Sequence, residues 1–147
     1  MTLPGLSIRA AALSELTELL TLLNECDLPL EGVAEHLGGF LVARDDRALL
    51  GVVGLERYGD VGLLRSLAVS PEARGRGVGV KLVEAVMAGA QKKNMRTLYL
   101  LTETAESFFP RFGFEKIPRA GLDARLGASR EVQGVCAETA VAMRAEL

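Results

Sequence analysis

Residues 67–79 read LAVSPEARGRGVG, and no other segment constrains the architecture of this chain as tightly. An apolar run ends at Ser70-Pro71, glycines occupy every second position from Gly75 to Gly79, and a helical pattern begins at Val78. Glycine has no Cβ atom, so a ligand can approach its backbone closely. The free N–H groups of a helix N-terminus, together with the helix dipole, bind anions such as pyrophosphate. The stretch therefore predicts a strand, an anion-binding loop and a helix.

Three kinds of phosphate-binding loop compete for this segment. A P-loop requires Gly-Lys-Ser/Thr at its end, but Gly79 is followed by Val80 and Lys81. A dinucleotide-binding fingerprint requires G-x-G-x-x-G directly after the strand, whereas a Ser-Pro-Glu-Ala linker intervenes here. The third pattern, R-x-x-G-x-G, is met by Arg74, Gly77 and Gly79.

The hydrophobic pattern on both sides of this loop alternates between strands and helices. Strands are predicted at residues 6–10, 40–44, 48–58, 63–69, 97–101, 114–118 and 139–146. Helices are predicted at residues 30–36, 78–93 and 105–112, after a first helix that carries leucines 13 to 23 on one face and is broken by Pro29. This order predicts an α/β fold, a mixed sheet with helices on both faces. A length of 147 residues predicts a single domain over residues 1–147.

Composition and charge argue against several classes of protein. The chain is 49% apolar and 24% charged with a net charge of −2, which is typical of a globular protein and lacks the basic excess of nucleic-acid binders. We expect a cytoplasmic protein without membrane contact, because no stretch approaches the roughly 20 apolar residues that span a bilayer. Cys26 and Cys136 are predicted to be buried free thiols. No metal site is predicted, and the single His36 has no partner motif that would indicate catalysis.

A second motif lies downstream of the loop. Residues 105–114 read AESFFPRFGF, which resembles the A-x-x-(L/F)-(Y/F)-x-x-x-G-F segment of the GNAT superfamily of acetyl-CoA-dependent N-acetyltransferases, and R-x-x-G-x-G resembles the pyrophosphate loop of that family. The resemblance implies a mixed sheet in which the fourth and fifth strands, residues 63–69 and 97–101, splay apart and hold acetyl-CoA between them.

The same resemblance implies which residues contact acetyl-CoA. Backbone N–H groups near Leu67 and Val69 would hold the thioester, and the amides of residues 74–80 would hold the pyrophosphate. The implied cofactor-binding residues are Leu67, Ala68, Val69, Arg74, Gly75, Arg76, Gly77, Val78, Gly79, Val80, Thr102 and Phe108.

A narrower likeness is also present. The segments GLLRSLAV (62–69), LYLLTETA (98–105), SREV (129–132) and AVAM (140–143), with Cys136, resemble the small acetyltransferases of bacterial arsenic-resistance operons. Those proteins are similar in turn to N-acetylglutamate synthase domains. The likeness suggests an amino-acid-like acceptor, including an arsenic-containing or other toxic analogue.

The acceptor site is less clearly marked. Arg57 and Arg65 lie on adjacent predicted strands and could clamp a carboxylate with bidentate hydrogen bonds, or could be two surface arginines. Ser66 and Ser129 are further candidates for contacts with the acceptor. Phe109 occupies the position at which many relatives supply a proton from a tyrosine, so the proton must come from water or from a hydroxyl. The catalytic candidates are Ser66, Thr102 and Ser107.

Two functions of different class follow. In the first, the protein transfers acetyl from acetyl-CoA to the primary amine of a small molecule, mainly by positioning the reactants and by stabilising the oxyanion. In the second, it is a CoA-binding regulatory protein that has the fold but no turnover. Within the first class, an amino-acid acetyltransferase that resembles N-acetylglutamate synthase is a further alternative. The oligomeric state, monomer or homodimer, stays open.

Overall fold

The computed structural model describes residues 5–135 and 140–147, and these residues build one seven-stranded sheet. The strands are β1 Ser7–Ala10, β2 Phe40–Arg44, β3 Leu49–Tyr58, β4 Val61–Val69, β5 Thr97–Thr102, β6 Glu115–Ile117 and β7 Val141–Glu146. Their order across the sheet is β1-β2-β3-β4-β5-β7-β6. Among the strands of the described residues, only β4 and β5 are parallel neighbours, and the remaining pairs are antiparallel. The predicted mixed sheet is confirmed.

Helices cover both faces of this sheet, as predicted. The helix α1 spans Leu16–Glu25 and the helix α2 spans Val78–Lys92. Successive residues of a strand point to opposite faces, so Val52 shares a buried cluster with Leu19 and Leu23 of α1. Its neighbour Val53 shares a different cluster with Leu82 of α2. The sheet is thus buried on both sides, which explains the nearly unbroken apolar sequence of β3.

The parallel pair is short, and its two strands separate. Register between β4 and β5 extends only from Val61 with Thr97 to Leu63 with Tyr99. Beyond that point β5 remains paired with β7, while β4 remains paired with β3 across a register shift between Val52 and Gly54. Ser66 has a φ of 60°, a left-handed conformation that interrupts the regular strand. A gap therefore opens in the middle of the sheet, as the family resemblance implied.

Several predicted boundaries are wrong for identifiable reasons. The helix at residues 30–36 is instead a 3-10 helix, Ala34–Gly39, because Gly32 has a φ of +81° that an α-helix excludes. The helix at residues 105–112 is reduced to the 3-10 helix Phe109–Phe112, in which Pro110 cannot donate a backbone hydrogen bond. Helix α1 begins with a 3-10 turn at Leu13–Glu15 and ends well before Pro29.

The segment before the last strand has no regular hydrophobic pattern, and it folds into irregular turns. Residues 119–135 form short 3-10 turns, Arg119–Gly121 and Ala124–Ala128, followed by a wider turn at Glu131–Val135. Cys136 and Thr139, the predicted start of the last strand, lie outside the described residues, as do residues 1–4. Within the described ranges, no helix is long and apolar enough to cross a membrane.

The close packing of β2 on β3 can be tested at Gly54. This glycine is in register with Phe40, and an added Cβ would overlap the fully buried Phe40 ring. We expect Gly54→Ala to lower the free energy of unfolding by about 1–3 kcal/mol, the usual cost of overpacking a core. Gly89→Ala is the matched control, because Gly89 lies within α2 and an added Cβ there meets no atom within 4 Å.

We expect the control to raise the free energy of unfolding by about 0.5–1 kcal/mol, since alanine favours a helix interior over glycine. Urea unfolding of both variants measures the difference. Equal stability of the two variants would contradict the packing described for Phe40.

Candidate active site

Two neighbouring hollows lie at the gap between β4 and β5 and share three lining residues. The phosphate cleft, about 670 Å³, lies between the loop before α2 and the segment that follows β5. The inner pocket, about 320 Å³, lies between the end of α1, the middle of β4 and the end of β5. Leu67, Thr104 and Ala105 line both hollows. A long ligand could therefore enter along the cleft and place one end in the pocket.

The phosphate cleft is built around the N-terminus of α2. Gly75 and Gly77 both have a φ of +80°, a conformation that turns the chain tightly and that residues with a side chain adopt only under strain. The helix begins where the Lys81 amide donates to the Gly77 carbonyl, and no side chain of residues 5–135 or 140–147 caps its N-terminus. The first N–H groups of a helix have no intrahelical acceptor. These groups are consequently available to an anion in the cleft.

Most residues predicted to bind the cofactor surround this cleft. Those that line it are Leu67, Val69, Arg74, Gly75, Gly77, Val78, Gly79, Val80 and Phe108, together with the catalytic candidate Ser107. The Arg74 side chain turns back towards β4, where its Nε donates to the Val69 carbonyl over 3.1 Å. Arg74 thus contributes to the cleft mainly through its backbone.

Three predicted cofactor residues lie elsewhere. The side chain of Ala68 packs beneath α1 on the opposite face of the sheet, because side chains alternate along β4. Arg76 is exposed in the loop and does not line the cleft. Thr102 lines the inner pocket, and its hydroxyl accepts a hydrogen bond from the Ala105 amide over 2.9 Å.

Arg111 is a cleft residue that sequence reasoning missed. Its guanidinium lies 4.6 Å from the centroid of the Phe108 ring, and its Nε donates to the Phe108 carbonyl over 2.8 Å. Both residues line the cleft opposite the glycine-rich loop. Position 111 falls at a variable site of the downstream motif, so its charge gave no sequence signal. The arginine places a cation where a second phosphate group could bind.

The inner pocket has a polar floor centred on Arg65. This side chain is fully buried, and its Nη1 lies 2.8 Å from Oε2 of the equally buried Glu56. Its Nε donates to the Ser66 hydroxyl over 2.9 Å, and its Nη2 donates to the Pro29 carbonyl over 3.2 Å. Each of the three guanidinium nitrogens of Arg65 therefore donates a hydrogen bond to the protein itself. Ser66, another predicted acceptor contact, lines the pocket beside it.

Glu56 accepts hydrogen bonds from several directions. Burial raises the pKa of this carboxyl, but hydrogen bonds from Tyr58, Arg65 and Ser129 outweigh it and leave the pKa below its usual value. His36 adds a contact of 3.7 Å between its Nε2 and Glu56 Oε1. Burial, together with the hydrogen bond to the same carboxylate, raises the pKa of the Tyr58 hydroxyl. Glu56 is thus an ionised, structural partner of Arg65.

Glu131 is the second carboxyl at the pocket. Its side chain is 6% exposed, and its Oε1 lies 3.8 Å from Arg65 Nε. Its Oε2 is buried and has no hydrogen-bond partner within the part of the chain that the structure describes. Burial raises the pKa of Glu131 to about 7, against the opposing charge of Arg65. Sequence reasoning missed this residue because residues 121–137 show no periodic pattern.

The predicted clamp, in which Arg57 and Arg65 together hold a carboxylate, is wrong because the two side chains do not meet. Arg57 is exposed and donates to the Gly59 carbonyl over 3.1 Å and to the Lys93 carbonyl over 3.3 Å, at the far end of α2. Because Arg57 and Glu56 are consecutive in β3, they point to opposite faces, so Arg57 cannot join the Glu56–Arg65 pair. The two arginines are not brought together.

Two further expectations for this region are corrected. Ser129 is fully buried behind Glu56 and does not line the pocket, so it supports the carboxylate and does not contact an acceptor. Cys26 is half-buried rather than buried, because it lines the inner pocket; its Sγ lies 3.6 Å from Arg74 Nη2. Among the described residues there is no group of three or more potential metal ligands.

Comparison with known proteins places this geometry in a family. Residues 36–116, more than half of the chain, match the family described as acetyltransferase (GNAT) domain. An uncharacterized N-acetyltransferase from Chlorobaculum tepidum is 31% identical over 90 residues, which are 60% of this chain and 57% of that protein. The match thus spans little more than half of that relative's length.

Solved structures share the fold. N-acetylglutamate synthase from Neisseria gonorrhoeae, in complex with coenzyme A and N-acetyl-glutamate, superposes with a TM-score of 0.83 at 22% identity, over 97% of this chain and 35% of that one. The PaiA N-acetyltransferase from Thermoplasma acidophilum, in complex with coenzyme A, gives 0.71 at 17% identity, over 97% and 99% of the two chains. At such identities the likeness concerns the fold alone. The chain belongs to the acetyltransferase (GNAT) domain family, because residues 36–116 match the model of that family.

Proposed function

We propose that this protein is an acetyl-CoA-dependent N-acetyltransferase that acetylates the primary amine of a small molecule. The observation that carries the proposal is the meeting of the phosphate cleft and the inner pocket at Leu67, Thr104 and Ala105. A thioester held in the gap between β4 and β5 would reach from the anion-binding loop to a pocket of the right size for a small acceptor. Membership of the family supports the same reaction.

The residues of the phosphate cleft fit a CoA pyrophosphate. The uncapped N-terminus of α2 offers N–H groups and a positive dipole end, and added Cβ atoms at Gly75 and Gly77 would project into open space. Arg111 supplies a cation on the opposite wall. These groups would bind the diphosphate, while the apolar walls of Val69 and Phe108 would pack against the pantetheine arm.

The gap itself supplies hydrogen-bond donors. Peptide groups need partners when they are removed from water, yet within the described chain β4 has no register with β5 beyond Leu63. The N–H groups of β4 that point into the gap, near Leu67 and Val69, can therefore bond to the ligand. Acetyl-CoA supplies an activated acetyl group, and such donors would stabilise the negative charge that develops on its carbonyl oxygen.

The class of acceptor is proposed from the inner pocket. An amino-acid-like acceptor, including the arsenic-containing analogue suggested by the sequence likeness, would bring a carboxylate or another anion towards Arg65. That arginine is already hydrogen-bonded to Glu56, Ser66 and Pro29, so the anion would have to share its donors. A simple amine has no such requirement. Acceptor screening must therefore compare both kinds of amine.

Binding of acetyl-CoA can be tested at Gly79. An added Cβ at this position would lie 3.6 Å from both Phe108 Cζ and Val69 Cγ2, in the cleft but without a clash in the free protein. We expect saturating acetyl-CoA to raise the melting temperature of the wild type, because it binds only the folded state. In Gly79→Val the larger side chain fills the cleft, and affinity for acetyl-CoA should fall at least about tenfold, or 1.4 kcal/mol.

Gly89→Val, in the same helix and open to solvent, is the matched control and should keep the full rise in melting temperature. Gly77 is less suitable as a test, since a side chain at its φ of +80° would strain the loop even without a ligand. A wild type whose melting temperature does not respond to acetyl-CoA would contradict the assignment of the cleft.

Turnover distinguishes an enzyme from a CoA-binding regulatory protein. We expect release of free CoA thiol when acetyl-CoA is mixed with a panel of alkylamines, diamines, amino acids and amino-acid-like arsenicals, and the acetylated amine should be detected by mass spectrometry. Tight acetyl-CoA binding without thiol release on any amine would favour the regulatory alternative. Faster turnover of amino acids and arsenicals than of simple amines would support the narrower, arsenic-resistance-like acceptor.

A further inference from the structure

A purely structural role does not explain why the carboxyl group of Glu131 is buried with one oxygen unpaired among the described residues. A buried polar atom without a partner typically costs about 1–3 kcal/mol, yet Glu131 Oε2 has none among the described residues. The side chain is 94% removed from solvent, being 6% exposed, and it forms part of the wall of the inner pocket. An unsatisfied buried group in a native structure calls for an explanation, and a ligand bound in the inner pocket would supply the missing partner.

Arg65 does not fill that role. It lies 3.8 Å from the other oxygen of Glu131, beyond hydrogen-bonding distance, and its charge is already balanced by Glu56 at 2.8 Å. Other titratable groups around the pocket come from two segments: Cys26 and the exposed Asp27 after α1, and the exposed Glu103 after β5. His36 and Tyr58 act on the cluster through Glu56. In the buried part of the pocket one cation, Arg65, thus faces two carboxyl groups, Glu56 and Glu131, so a cationic ligand would complement the second carboxylate.

We propose that Glu131 binds the ammonium group of the acceptor in the inner pocket and accepts its first proton before acetyl transfer. The proposal rests on the proposed function, and it gives the pocket a ligand class: a primary amine that enters in its protonated form. Glu131 shares this pocket with Ser66 and Leu67, where the thioester would lie. The amine that it deprotonates is therefore held beside the carbon that it must attack.

The proton balance is complete. The ammonium gives one proton to the Glu131 carboxylate and becomes a neutral amine, whose lone pair forms the new bond to the thioester carbonyl carbon. The carbon–sulfur bond breaks, and the leaving thiolate takes the second proton of the nitrogen. Glu131 then returns its proton to solvent. The products are an N-acetyl amine, free CoA thiol and one released proton, and no further reactant is needed.

The direction of the pH dependence follows from the environment of Glu131. Burial raises its pKa to about 7, helped by Glu56 and opposed by Arg65. The carboxylate form, which accepts the proton, is therefore lost as the pH falls through about 7. For an acceptor that remains protonated to pH 10, kcat/KM should rise up to about pH 7 and then level off. Without Glu131, kcat/KM should follow the free-amine fraction and rise about tenfold per pH unit towards the pKa of the amine, about 10.4 for an alkylamine.

The test uses two acceptors and three variants of the full chain. The acceptors are butylamine, an alkylamine with a pKa of about 10.4, and glycinamide, whose α-amine has a pKa near 8. Glu131→Gln removes the base at constant shape, and Glu131→Asp retains a carboxyl group. Glu115→Gln, on the exposed face of β6 and outside both hollows, is the control for loss of a carboxylate.

We expect Glu131→Gln to lower kcat/KM for butylamine about 100-fold at pH 7.5, within the usual range for general base catalysis. The level region between pH 8 and 9.5 should be replaced by a steady rise. At pH 9, where most glycinamide is already neutral, the loss for glycinamide should be less than about tenfold. Glu131→Asp should restore the level region at reduced kcat, and Glu115→Gln should match the wild type.

An equal loss for both amines, with an unchanged pH profile, would show that Glu131 is only structural and would overturn the proposal. A direct readout separates this failure from failure of the enzymatic function. With ¹³C-labelled glutamate carboxyls, one resonance absent from Glu131→Gln should titrate near pH 7, and butylammonium chloride should lower its midpoint. A lowered midpoint without any thiol release would support the ammonium site and contradict the enzymatic function. An unchanged midpoint would contradict the ammonium site.

Discussion

The separation of β4 from β5 is the constraint on which the rest of the structure depends. Parallel strands normally continue their hydrogen-bonded ladder, but here the ladder stops after Leu63 and Tyr99. Ser66, at a φ of 60°, turns β4 away, while β5 keeps its full pairing with β7. Unpaired peptide groups inside a sheet are costly unless a ligand or water satisfies them. The same irregularity therefore creates the gap and equips it with donors.

A buried ion pair fixes the floor of that gap. Arg65 and Glu56 are both fully buried and lie 2.8 Å apart, with Ser66, Pro29, Tyr58 and Ser129 completing their hydrogen bonds. Removing one partner of such a pair leaves an uncompensated buried charge, which typically costs about 3–5 kcal/mol. Arg65 consequently belongs to the framework of the pocket, whereas Oε2 of Glu131 has no hydrogen-bond partner among the residues that the structure describes. The two carboxyl groups thus differ in their partners: Glu56 is held by hydrogen bonds from the protein, whereas Glu131 remains able to bind a ligand.

Local patterns in the sequence were sufficient for the loop and the sheet, but not for the pocket. The strand, the glycine-rich turn and helix α2 follow from residues that are neighbours in the chain, so β2 and α2 match prediction to within a residue. The sides to which Arg57 and Arg65 point depend instead on the β3–β4 pairing, in which Arg57 lies opposite Gly62 and Arg65 lies opposite Gly54, and hydrophobic periodicity does not reveal that pairing. Glu131 enters the pocket from a segment of irregular turns, and its burial is set by tertiary packing.

The central claim is that the gap between β4 and β5 carries acetyl-CoA from the phosphate cleft to the inner pocket. A crystal structure of the protein with bound acetyl-CoA tests this most directly. We expect the pyrophosphate on the amides at the start of α2, and the thioester carbonyl within hydrogen-bonding distance of a β4 amide near Leu67 or Val69. An acetyl-CoA molecule bound outside the gap, or a gap closed by continued pairing of β4 with β5, would contradict it.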